Sequence, residues 1–284
     1  MAPRESFWFR KLGNRRNQSY IDLPGPQHGR IVRSIPLENS IPIAKNQSRR
    51  ANGVVAADGS LRVVAYGLIH KLTADGEYVW SRNLVPHILA EPDDPEDGRT
   101  DVDVFKLPQA TLEHTDLSHA PPTMLEGDAA LVVLPNRTLI LDAEGAVISV
   151  IRRSVVTTGA YSPNLTFDQH PIFADFMGVS ILESEGIHHL KSARGYDFDP
   201  PAVYEDETFA IAAYYDTGFC RVRRDDSIVW RTELRQADLV PTLNNADYAA
   251  VGSANDRISM IYTPDGKGIA RYGAAARFAR HRDD

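Results

Sequence analysis

Cysteine is almost missing from this chain: its 284 residues hold one, Cys220. A lone cysteine closes no internal disulfide, so the fold has to rest on its core rather than on staples. No Cys-x-x-Cys pair and no His-Glu-x-x-His stretch occurs, which removes the common zinc patterns. No glycine-rich loop joins a strand to a helix, and Gly-x-Ser-x-Gly is absent. Nucleotide-binding and α/β-hydrolase readings therefore have no support. No stretch approaches the roughly 18 apolar residues of a membrane helix. The basic N-terminus, MAPRESFWFRKLGNRRNQSY over residues 1–20, leads into no apolar run and does not read as a secretory signal. The expected location is cytoplasmic, and an upstream signal peptide already removed would reverse that expectation. Without a signal, the sequons at Asn17, Asn46, Asn136 and Asn164 read as chance. A basic excess is missing too: the net charge is −7 and the pI about 5.7. Neither nucleic acid nor an anionic membrane is an expected partner.

What the chain does contain is a repeat. An acidic turn recurs as Asp75-Gly76, Glu144-Gly145, Glu185-Gly186, Asp225-Asp226 and Asp265-Gly266. The last four second positions, 145, 186, 226 and 266, step by 41, 40 and 40 residues. A period near 40 belongs to propeller blades or to helical repeats. Short runs rich in Val, Ile and aromatics flank each turn, such as LRVVAY (61–66), ALVVL (130–134) and TFAIAAY (208–214). They are strand-like, and no window sustains a helical period. A further short strand opens at Pro122, Pro163, Pro201 and Pro241. Proline suits the first residue of a strand with an open edge. The expected fold is all-β: a small β-propeller of about five four-stranded blades, each an A-B-C-D meander.

Two segments carry a resemblance. Residues 63–84 (VVAYGLIHKLTADGEYVWSRNL) and 212–234 (AAYYDTGFCRVRRDDSIVWRTEL) resemble pyrroloquinoline-quinone-like, or quinoprotein-like, propeller repeats. Such repeats place a Gly before strand C, an acid-Gly turn, and a Trp on strand D. Gly67, Asp75-Gly76 and Trp80 match in one segment, and Gly218, Asp225-Asp226 and Trp230 in the other, with Asp226 where Gly is usual. The remaining units match in pattern only, and the resemblance spans about residues 51–273. It implies the fold, with Trp80 and Trp230 packed between neighbouring blades. It does not imply the cofactor: quinone dehydrogenases of that superfamily are far longer and carry further tryptophan motifs. No cofactor is predicted.

Residues 1–50 form an irregular arm. Within it GRIVRSIPL (29–37) resembles a D strand that could add to the final blade and close the ring. The propeller is expected over residues 51–284, interrupted by an acidic, proline-broken insertion at 86–120. This insertion reads as a long loop, with a degenerate sixth blade as the alternative. Its DDPEDG stretch (93–98) leaves calcium possible, although the EF-hand pattern fails at Pro95 and Val104.

In a meander the A–B and C–D turns share one face, and here they are tight. The B–C turns and the long D–A connections share the other, so function is expected there, at the mouth of a central channel. Candidate acid–base residues are His114, His119, Tyr161, Tyr196 and Asp216. Candidate ligand-binding residues are His87, Asp197 and Asn255. His188 and His189, adjacent on one strand, face opposite ways and share no metal. Cys220 reads as a small buried hydrophobe. Two functions stay open. One is a module binding a small molecule or protein partner at the loop-rich face. The other is a cofactor-independent enzyme, a lyase, cyclase or hydrolase, using His, Asp and Tyr as acid and base.

Overall fold

The computed structural model describes residues 15–16, 34–37, 51–65, 67–84, 87, 121–134, 137–152, 163–175, 178–184, 186–191, 200–213, 218–232, 234, 240–253 and 257–273. Their strands form five four-stranded antiparallel sheets, each paired in chain order. Blade 1 comprises Ala51–Val55 (β1), Leu61–Ala65 (β2), Leu68–Leu72 (β3) and Tyr78–Asn83 (β4). Blade 2 comprises Thr123–Met124 (β5), Ala130–Val133 (β6), Arg137–Leu141 (β7) and Val147–Arg152 (β8). Blade 3 comprises Asn164–Leu165 (β9), Pro171–Asp175 (β10), Gly178–Glu183 (β11) and Gly186–Leu190 (β12). Blade 4 comprises Ala202–Val203 (β13), Phe209–Ala213 (β14), Gly218–Val222 (β15) and Ile228–Arg231 (β16). Blade 5 comprises Thr242–Leu243 (β17), Ala249–Ser253 (β18), Ile258–Tyr262 (β19) and Gly268–Tyr272 (β20). The meander expected from the sequence is present, and β5, β9, β13 and β17 each begin one residue after the predicted proline.

The chain divides into two compact units. One holds residues 1–11 and 20–158, and so blades 1 and 2; the other holds residues 12–19 and 159–284, and so blades 3 to 5. In the second unit β13 lies against both β9 and β17, so the first strands of its three blades sit side by side. Blade 4 is buried on both faces. Phe209, Ile211, Cys220 and Val222 pack with Ile172, Val179 and Ile181 of blade 3. Ala210, Ala212 and Phe219 pack with Leu243, Val251 and Tyr262 of blade 5. This alternation follows from the two-residue side-chain period of a strand. The fourth strands are outermost and half-exposed, with Val79, Ile148, Ile187, Val229 and Ile269 open to solvent.

Cys220 is fully buried, as its residue type in a β-rich run led us to expect. An aromatic disulfide reagent should therefore modify the native chain no faster than blade 4 opens. Stoichiometric labelling within the mixing time would contradict this packing.

The turns explain the acid-Gly repeat. In four blades the C–D hairpin is a three-residue loop: Gly76, Gly145, Asp226 and Gly266 sit at positive φ, and each donates its N–H to the carbonyl three residues back. This is a type I turn closed by a left-handed residue, and a register shift in the following pair accompanies each. Blade 3 differs from the expectation. Glu183 pairs directly with Gly186, so its turn is a two-residue loop without the register shift.

Of the N-terminal arm, residues 34–37 carry no strand, and the Pro36 carbonyl accepts a hydrogen bond from the Tyr78 hydroxyl of blade 1 at 2.8 Å. Blade 5 takes its four strands from residues 242–272. The insertion apart from His87, the DDPEDG stretch and the rest of 29–37 lie outside the described residues.

Candidate functional site

Of the eight candidate acid–base and ligand-binding residues, His87 alone is described. It is half-buried just past β4, and its N–H reaches the Leu84 carbonyl at 3.0 Å. That places it on the first D–A connection, at the loop-bearing end of blade 1. His114, His119, Tyr161, Tyr196, Asp197, Asp216 and Asn255 lie outside the described residues. Among the described residues no cluster of three His, Cys, Asp or Glu could hold a metal ion.

The dense polar chemistry of the described residues sits at the opposite, hairpin end. Within the first unit, Trp80 on β4 donates its indole N–H to the Ala143 carbonyl in the C–D turn of blade 2, at 2.9 Å. Arg82, two residues on, donates to the Gly145 and Glu144 carbonyls of that turn at 3.0 and 2.7 Å. Asp128, in the A–B turn of blade 2, takes Arg62 Nη2 at 2.5 Å and Lys71 Nζ at 2.7 Å from blade 1. Within the second unit, Trp230 on β16 repeats the first arrangement, donating to the Pro264 carbonyl in the C–D turn of blade 5 at 2.9 Å. Blade 3 has no such tryptophan. There Arg224, from the C–D turn of blade 4, reaches back to Glu183 at 2.8 Å and Asp168 at 2.7 Å, with His170 beside it.

His170 and Asp168, 3.0 Å apart, have the composition of an acid–base pair, but the guanidinium of Arg224 ties both to the joint. Burial pushes the Asp168 carboxyl up, yet the Thr166 hydroxyl, Arg224 and His170 outweigh it and hold the group at about 2. The folded value lies below the ordinary 3.8, so the carboxylate stabilises the fold above that pH and the contribution is lost as pH falls through about 2. An Asp168→Asn variant should be weaker than the parent at neutral pH, and its urea midpoint should fall less steeply between about pH 4 and about pH 2. Parallel acid limbs for the two proteins would assign the sensitivity to other carboxylates.

A feature that sequence reasoning missed lies at the same end of the second unit. Arg15 and Arg16 run along the inner strands of blades 3 to 5. The Arg15 carbonyl accepts the Val203 N–H from β13 at 2.8 Å, and the Arg16 carbonyl accepts the Leu243 N–H from β17 at 2.9 Å. Asn164 on β9, fully buried, donates Nδ2 to the Arg15 carbonyl at 2.8 Å and to the Pro201 carbonyl at 2.7 Å. Its amide is occupied inside the fold, which agrees with a chance sequon. The Arg15 side chain is itself buried; burial pulls its guanidinium below the ordinary value, and Glu207 opposes that shift. The basic character of residues 1–20 was visible, but nothing local marked Arg15–Arg16 as a partner of blades some 150 residues away.

Known structures with the same arrangement place the fold. No protein-family model and no curated protein sequence matches the chain. Among solved structures, virginiamycin B lyase from Staphylococcus aureus superposes with a TM-score of 0.55 at 11% identity, over 80% of this chain and 71% of that one. The fold is a β-propeller of five blades. A catalytically inactive variant of that lyase, solved with quinupristin, gives 0.56 at 10% identity, over 83% of this propeller and 74% of its own chain. BamB from Moraxella catarrhalis gives 0.53 at 17% identity, over 80% of this chain, which spans 62% of BamB. At such identities the likeness carries the fold and no activity.

Proposed function

We propose that this propeller is a binding module that holds a small molecule or a protein partner at the loop-bearing ends of its blades. The observation that carries this reading is the state of the opposite ends. Their turns are tight hairpins, and across the three joints described, blade 1 to 2, 3 to 4 and 4 to 5, their carboxylates, carbonyls and indoles already bind the neighbouring blade. Ligand recognition then falls to the end that carries the long D–A connections, as on other scaffolds whose rigid core presents loops. His87 stands at the start of the longest of these, with Asp197 and Asn255 as further ligand contacts. The repeats are of the quinoprotein-like type on this reading. Its support is the shared docking of Trp80 and Trp230 on the turn of the following blade. The acidic net charge of −7 speaks for a partner other than nucleic acid or an anionic membrane. A single buried thiol suits a cytoplasmic setting.

A second reading is a cofactor-independent lyase, cyclase or hydrolase with His114, His119, Tyr161, Tyr196 and Asp216 as acid–base groups. One experiment tests both. Native mass spectrometry of the protein purified from its own host should show a retained small molecule or a stoichiometric protein. That mass should disappear when residues 88–120 are replaced by a short Gly-Ser linker. A retained molecule that is chemically altered on incubation, and is preserved by His114→Ala or His119→Ala, would move the assignment to the enzyme. A bare chain, unaffected by the replacement, would overturn the binding reading.

A further inference from the structure

The contacts of Arg15 and Arg16 have the form of a ligand in a recognition site. Each of the three blades in the second unit supplies one main-chain-directed donor: Asn164 Nδ2, the Val203 N–H and the Leu243 N–H. Arg15 and Arg16 lie in a turn, so their successive carbonyls both meet strand-edge N–H groups of different blades, and free N–H groups at a strand edge are a common means of capturing a peptide backbone. Asn164 is set for this task, since its Oδ1 accepts the Leu165 N–H at 2.9 Å and its Nδ2 bridges Arg15 to Pro201.

The side chains are read as well. Arg15 donates Nε to the Thr166 carbonyl at 3.1 Å, and its guanidinium lies 5.1 Å over the Phe167 ring. Arg16 spreads its fork between blades: Nη1 to Asp247 and the Asn244 carbonyl of blade 5, both at 2.6 Å, and Nη2 to Glu205 of blade 4 at 2.9 Å. Its side chain retains 11% of its exposure. A planar fork shared by two carboxylates selects arginine over lysine by geometry. Tyr204, next to Glu205 in the chain, is fully buried, with the Arg221 guanidinium 3.8 Å over its ring. Burial pushes its phenol well above the ordinary value, so it stays neutral and leaves the charge of the socket to Glu205 and Asp247.

We propose that the inner strand ends of blades 3 to 5 form a recognition site for an Arg-Arg dipeptide held in a turn. Arg15–Arg16 fill it as an intramolecular ligand, and a basic Arg-Arg peptide presented in trans displaces them. This site is separate from the loop-bearing ends assigned to binding above. A ligand tethered to its own site is held by a high effective concentration, so displacement becomes measurable once the tether is cut.

The test inserts a protease recognition sequence after Asp22 in the full chain and cuts it after folding. A fluorescent peptide of residues 12–19 (LGNRRNQS) is then added, followed by anisotropy, by native mass spectrometry and by far-ultraviolet circular dichroism. The expected result is saturable binding with stoichiometric release of the cut fragment and an unchanged β-sheet dichroism. The double-alanine peptide LGNAANQS should bind at least about tenfold more weakly, as should the parent peptide on a cut Asp247→Asn chain. Three results overturn the proposal. The fragment resists displacement, the two peptides bind alike, or cutting alone unfolds the chain and so makes the segment a structural part rather than a ligand.

Discussion

Replacing Trp230 by alanine should destabilise the protein by about 3 kcal/mol. The indole meets Phe219 edge-on at a centroid distance of 5.3 Å and Tyr262 at 6.2 Å, and its N–H is bound to the Pro264 carbonyl. Truncation removes the aromatic contacts and leaves that carbonyl to water. The partner of Trp230 is Gly266, where an added Cβ would lie 2.6 Å from the indole Cγ at a φ of +86°. Gly266→Ala therefore suffers twice: about 1 kcal/mol for a left-handed alanine, and a further penalty for the clash with the ring. In the Trp230→Ala background the clash is gone. The double variant should be more stable than the sum of the single losses by about 1 kcal/mol or more. Urea unfolding of the four proteins closes this cycle, and strictly additive losses would show that the glycine serves only its turn. Trp80 and Gly145 should behave alike, since an alanine Cβ there would sit 2.9 Å from the ring at a φ of +81°.

Asp128→Ala should cost about 3 kcal/mol for a different reason. Arg62 has no exposed surface, and its charge is met by Asp128 at 2.5 Å, with Ser60 Oγ at 2.9 Å. Lys71 shares the same carboxylate oxygen at 2.7 Å. Removing Asp128 strands two cations, one of them wholly buried, and the loss is mostly the desolvation of an unpaired charge. Adding Arg62→Met in the same chain removes that charge, whose guanidinium lies 5.6 Å over the Trp80 ring, while keeping an unbranched apolar side chain in its place. Much of the stability should return. If the double variant is weaker than Asp128→Ala alone, packing by Arg62 rather than charge pairing holds the joint.

The two cycles bear on how much of this fold was legible. The period of 40, the acidic turns and the prolines before β5, β9, β13 and β17 identify a repeated four-stranded unit. They do so because strand alternation, turn conformation and proline placement are local requirements. The resemblance of residues 63–84 and 212–234 placed Trp80 and Trp230 between blades, and there they are. What the repeat did not convey is the pairing rule across blades. Each tryptophan is followed, one blade later, by a turn glycine whose missing side chain makes room for it. Blade 3, with His188 in the corresponding pair, is followed by Asp225-Asp226 and an arginine tie instead. Gly145 and Gly266 had sufficient reason to be glycine from their turns alone, so their second duty left no separate mark.

The site was less legible than the fold. Its predicted residues sit on connections whose identity follows from topology, but convergence of side chains from different blades is not encoded in any local spacing. His170 and Asp168 lie two residues apart, and their tie to Arg224, 54 positions on, appears only when blades 3 and 4 are neighbours. The sequence by itself determined the strands, their meander order and the side on which the tight turns fall. These depend on neighbours within about 40 residues. The tertiary structure alone decided which charges meet across blades and that Arg15–Arg16 lie along the inner strands of blades 3 to 5. Contacts between residues some 150 to 230 positions apart depend on where whole sheets pack, and no period or turn along the chain records that.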